Sequence, residues 1–115
     1  MDRRRVVITG LGAITPVGLT APESWQAVKD GVCGVAPITQ FDTEGMKVSL
    51  AAEVKGFVPE DHLGKPEAKR MGRFTQFAVV CAREAMADSG LVTEDEDLDR
   101  CGVIISSGIG GLSIT

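Results

Sequence analysis

The chain has 115 residues, 43% hydrophobic and 24% charged, a balance that excludes disorder and is enough for one small globular domain. Its net charge of −4 argues against a nucleic-acid partner, which needs a concentrated basic face, and three cysteines without a C-x-x-C pair point to a reduced, cytoplasmic protein. The apolar run near the N-terminus ends at Thr9 after three residues, too short for a secretory signal or a membrane span.

Val6, Val7 and Ile8 predict a short buried strand running into a loop marked by Gly10, Gly12 and Gly18, where glycine permits positive φ or close backbone approach. Thr20-Ala21-Pro22-Glu23 has the form of a capping box, followed by Ala21, Trp25 and Val28 at helical spacing and by Gly31 as a left-handed stop. A short amphipathic helix is expected there, then a loop over 32–46.

Val48, Leu50, Ala52 and Val54 alternate with Lys47, Ser49, Ala51 and Glu53, the period of a strand with one buried face. A polar connection, FVPEDHLGKP, leads to a small helix near 66–71. Residues 73–89 then form the strongest helical pattern. Apolar groups cover most of the circumference, polar ones are mainly Gln76, Arg83, Glu84 and Asp88, and Gly90 follows. A helix of that kind belongs inside a layered core. An acidic connection over 94–99 precedes a second apolar strand, Val103-Ile104-Ile105, and a second glycine bend. Two strand-to-glycine turns define an α/β class with a site at strand ends.

Three blocks, RRVVITGLGAITPVG, RFTQFAVVCAREAMADSG and SSGIGGL, together resemble the N-terminal region of the β-ketoacyl-acyl carrier protein synthases, most closely the elongating type II (KAS II) enzymes of bacterial fatty-acid synthesis. The resemblance runs through the whole chain. It implies a partial thiolase-like fold, layered αβαβα, with residues 1–115 as an incomplete N-terminal portion and 73–89 as the buried central helix between the glycine-capped strands. It also implies a decarboxylating Claisen condensation in which a cysteine thiolate takes an acyl group from acyl carrier protein and malonyl-acyl carrier protein supplies the carbanion. Neither metal nor redox cofactor is implied, and full-length members are homodimers.

In the family the nucleophile and two histidines lie beyond the position matching residue 115, so the chain by itself is expected to be silent. Cys81 reads as a core thiol, Cys33 and Cys101 as inert, and His62 as an exposed loop histidine. The resemblance places Gly108, Ile109, Gly110 and Gly111 beside the acyl tunnel, with Ile109 as the gating side chain; without it they are a glycine turn. It places Lys65, Lys69 and Arg70 at the carrier-protein docking face; otherwise they are a solvated basic face. Pro66 stands where the family is often basic, and Gly72 where an aspartate usually precedes Arg-Phe-Thr-Gln.

Other readings are weaker. G-x-G-x-x-G fails at Thr15 and again at Ser113, which counts against a nucleotide-binding module. The acidic run lacks the glycine and terminal glutamate of an EF-hand, and no basic amphipathic helix is long enough for membrane binding. Within the family, a type II polyketide ketosynthase or its non-catalytic chain-length partner remains the alternative.

Overall fold

A computed structural model describes residues 3–112. They fall into two compact units, one of 13–58 and one formed by the described parts of 1–12 and 59–115.

In the unit of 13–58, α1 spans Ala21–Lys29. The Thr20 hydroxyl accepts from the Glu23 amide at 3.2 Å, and Glu23 Oε2 accepts from the Leu19 amide at 2.9 Å, one residue earlier than in an ordinary capping box. At the other end the Val32 amide donates to the Ala27 carbonyl and the Gly31 amide to that of Val28, with Gly31 at φ 69°. That pair of bonds is a Schellman motif, for which glycine is the unstrained residue. The buried face differs from the expected one. Ser24 and Ala27 are buried, whereas Trp25 is 62% exposed and Val28 is exposed too. Ser24 escapes a desolvation penalty because its Oγ lies 2.9 Å from Thr15 Oγ1 and donates to the Gly18 carbonyl, inside the turn closed by Thr15 and Gly18.

The sheet of this unit has two antiparallel strands, β1 (Ala36–Pro37) and β2 (Leu50–Ala51), with Ala36 opposite Ala51 and Pro37 opposite Leu50. The loop expected over 32–46 thus contains a strand, and the strand expected over 47–54 shrinks to two residues. Its apolar side is not buried either, for Val48 and Leu50 are exposed. What holds the pair in register is polar: Ile38 donates to the Ser49 carbonyl, and Thr39 donates from its amide and hydroxyl to the Glu53 carboxylate, the hydroxyl at 2.8 Å. These bonds from Thr39 hold the Glu53 carboxyl below the usual glutamate range.

The other unit carries α2 (Pro59–His62), α3 (Lys65–Arg70) and α4 (Arg73–Ser89), then 3₁₀ turns at Thr93–Asp95 and Leu98–Arg100. The small helix expected near 66–71 is α3, preceded by the one-turn α2. The helix expected over 73–89 forms with those boundaries, Gly72 as N-cap and left-handed Gly90 as C-cap. Gly10 and Gly12 lie against it. A Cβ at Gly10 would collide with the Ala85 carbonyl oxygen, and one at Gly12 with that of Cys81. Close approach, and not positive φ, is therefore what these two glycines supply.

Two expectations for this unit need correction. Helix α4 is not enclosed: Phe74 and Met86 are exposed, Phe77, Ala78 and Cys81 half-buried, and its one buried residue is the polar Gln76. Segments 6–8 and 103–105 belong to no strand among the described residues, with Val6 92% and Ile104 98% exposed. The reason is common to both. A strand buried on two faces acquires its hydrogen bonds and its cover from other segments, and none among the described residues supplies them. Apolar β-branched sequence supplies only the tendency.

Candidate functional site

The basic candidates stand on α3. Gly64 is its N-cap, without a side-chain bond, and Pro66 lies in the first turn, where a missing N–H leaves no carbonyl unpaired. Ala68 is buried, which turns the remaining faces outward: Lys65, Lys69 and Arg70 are all exposed. Lys65 and Lys69 share a side at the i, i+4 spacing. Lys69 and Arg70 fill the last turn, where cations complement the carbonyl end of the helix.

Two residues of α4 reach back to this segment. Gln76 Nε2 donates to the Ala68 carbonyl at 2.9 Å and to that of Met71 at 3.3 Å. Arg83 donates from Nη1 to the His62 carbonyl at 3.0 Å, while Nη2 stands 3.7 Å from Glu67 Oε2. In the sequence both are simply polar positions on an apolar helix. The signal available was their seven-residue spacing, about two turns, which sets them along one side of α4. Gly72, at the position where the family pattern has aspartate, caps the helix through its carbonyl, which accepts from the Gln76 amide at 3.0 Å.

The pocket candidates follow the extended 103–105 segment. Ser107 Oγ accepts from the Gly110 amide at 2.9 Å, and Gly110 has φ 79°, so 107–110 make a tight serine-closed turn. Ile109 sits in that turn, 77% exposed. A Cβ at Gly108 or Gly110 would meet nothing within 4 Å. Gly108, Ile109, Gly110 and Gly111 thus form one bend, in the same compact unit as Lys65, Lys69 and Arg70.

The thiols and the histidine belong to neither candidate set. Cys33 and Cys101 are exposed and Cys81 is half-buried in α4. His62 is exposed at the end of α2 and not in a loop. Among the described residues no three His, Cys, Asp or Glu side chains gather as a metal site, and no helix is long and apolar enough to cross a membrane.

Residues 3–114 match the family model of the β-ketoacyl synthase N-terminal domain. The chain belongs to that family, and with it goes the thiolase-like α/β fold of which these helices and the small sheet are a part. It is 51% identical over 111 residues, 96% of its length, to the 3-oxoacyl-[acyl-carrier-protein] synthase 2 of Staphylococcus aureus strain N315. It is 44% identical over 99% of its length to the protein of that name from Synechocystis sp. strain PCC 6803. The chain spans 27% of the length of either relative. The solved structure of the ishigamide ketosynthase/chain length factor matches 82% of the chain and 23% of its own, at TM-score 0.69 and 41% identity.

Proposed function

We propose that the protein carrying this chain is a fatty-acid-elongating 3-oxoacyl-[acyl-carrier-protein] synthase. The observation that supports this best is the 51% identity over 96% of the chain to a protein of that name. In this reading a cysteine thiolate outside the 115 residues attacks the thioester of acyl-acyl carrier protein, the acyl group passes to sulfur, and the carrier leaves as its thiol. Malonyl-acyl carrier protein then loses CO₂, and its carbanion attacks the acyl-cysteine. The new carbon–carbon bond forms as the cysteine thiolate departs, leaving a β-ketoacyl carrier protein. No catalytic side chain is assigned to the present residues.

Their roles are pocket and partner. Gly108, Ile109, Gly110 and Gly111 border the acyl chain, with Ile109 as the side chain whose bulk limits its length. Lys65, Lys69 and Arg70 meet an acidic face of the carrier protein, where complementary charge speeds encounter. The protein works as a cytoplasmic homodimer.

A second reading has an observation of its own, the 41% identity to a ketosynthase/chain length factor: a polyketide ketosynthase, or a partner subunit lacking the nucleophile. One experiment separates them. The protein carrying this chain is incubated with acyl-acyl carrier protein, and its intact mass is measured. A gain of one acyl group, released on adding malonyl-acyl carrier protein as a β-ketoacyl product, is the expected result. Absence of acyl-enzyme overturns the synthase reading in favour of the non-catalytic partner. Acylation followed by repeated condensation without intervening reduction marks a polyketide ketosynthase.

A further inference from the structure

Helix α3 has six residues, fewer than two turns, and isolated helices of that length are not stable in water. Its cations keep a fixed arrangement only if something outside the helix holds it. The ties are specific: Gln76 Nε2 takes the Ala68 and Met71 carbonyls at the end of α3, and Arg83 takes the His62 carbonyl just before it and approaches Glu67 within it. Gln76 is buried, so its amide has no water to replace those two acceptors. The Arg83 guanidinium is exposed, and its ion pair is a weak one, yet its planar fork serves two acceptors in different elements at once. Both ties come from the same helix, α4.

We propose that Gln76 and Arg83 are positioning residues for carrier-protein docking: they hold the Lys65, Lys69 and Arg70 face in one geometry, so that an acidic partner meets a preorganised set of charges. The inference rests on the docking role proposed above. Preorganisation raises affinity by removing the cost of ordering the surface when the partner arrives. Neither residue touches the partner or the reacting atoms.

The test uses the complete enzyme, with Gln76→Met, which removes both donors without changing charge, and Arg83→Lys, which keeps the charge but loses the fork. Lys69→Glu/Arg70→Glu serves as the control for docking itself. Steady-state rates are measured with acyl-acyl carrier protein and, separately, with an acyl-pantetheine thioester that has no protein to dock. Each positioning variant should raise KM for the carrier-protein substrate about threefold to tenfold, the equivalent of one net hydrogen bond, with kcat retained and acyl-pantetheine kinetics unchanged.

If charge reversal raises the carrier-protein KM and neither Gln76→Met nor Arg83→Lys does, the positioning role is overturned while docking stands. If charge reversal itself has no effect, the docking role fails and this inference with it. If both positioning variants lose activity equally on the two substrates, their effect is general to the fold and the inference is wrong. Arg83 lies at an exposed position, so its variant folds and reads out even where Gln76→Met lowers the yield of folded enzyme.

Discussion

The backbone amide of Leu11 donates to Asp88 Oδ2 at 2.9 Å, joining residues 77 positions apart. Asp88 is the penultimate residue of α4, the end at which the helix dipole disfavours an acid. The bond to Leu11 gives that carboxylate a donor and ties the glycine-rich first segment to the helix. Asp88→Ala should destabilise the fold by about 1 kcal/mol, and Asp88→Asn, which keeps an oxygen acceptor, by clearly less. Urea unfolding of the three proteins checks this; equal stability of wild type and Asp88→Ala would remove the tie.

A single methyl group at position 12 should cost more. The Cβ of Gly12→Ala would run into the Cys81 carbonyl and stand 3.0 Å from the Ala85 amide nitrogen, both backbone atoms held in a helix. The first segment must lift away, at about 1–3 kcal/mol. Gly102→Ala, where nothing lies within 4 Å, is the matched control and should change stability by less than about 0.5 kcal/mol.

Glu53 gives a pH signature. Its carboxylate accepts from the Thr39 hydroxyl and amide, so its native pKa lies below the unfolded value. The stabilisation is fully present above glutamate's ordinary pKa, about 4.3, and is lost as pH falls through the lowered native value. In Thr39→Val the Glu53 carboxyl should titrate at higher pH in a carbon-detected NMR experiment, the amide bonds alone remaining. An unmoved titration would assign the lowering to the Thr39 and Gln40 amides, with Lys55 after them, and not to the hydroxyl.

Ile109 offers a test of the pocket assignment. Ile109→Phe in the complete enzyme should lower kcat/KM for long acyl chains several-fold more than for short ones, measured across a series of acyl-carrier protein thioesters. Equal loss at every length would take Ile109 out of the tunnel.

Local signals carried the helices. The Thr20 to Glu23 cap, Gly31, and the run from Arg73 to Gly90 each lie within a few residues, and α1 and α4 form where they indicate. The strands fared differently because pairing is decided by segments distant in sequence. Val103-Ile104-Ile105 has the composition of a core strand, and Ala36-Pro37 does not, yet the second pair is in a ladder. Burial misled where a polar residue had internal partners. Gln76 reads as a polar position outside the core, but it finds hydrogen-bond partners close by in sequence at Ala68 and Met71, as the buried Ser24 does at Thr15 and Gly18. The basic face was legible because charge at i, i+4 survives any packing. The Gln76 and Arg83 ties were not, since a carbonyl acceptor leaves no mark in the residue type that bears it.

The seat of Gly10 and Gly12 on α4 has an uneven consequence for how this chain tolerates change. Every surface they press upon at Cys81 and Ala85 is main chain, which no substitution on the helix alters. A change of side chain at 81 or 85 leaves those main-chain surfaces where they are, whereas on the glycine side even one added methyl group meets them.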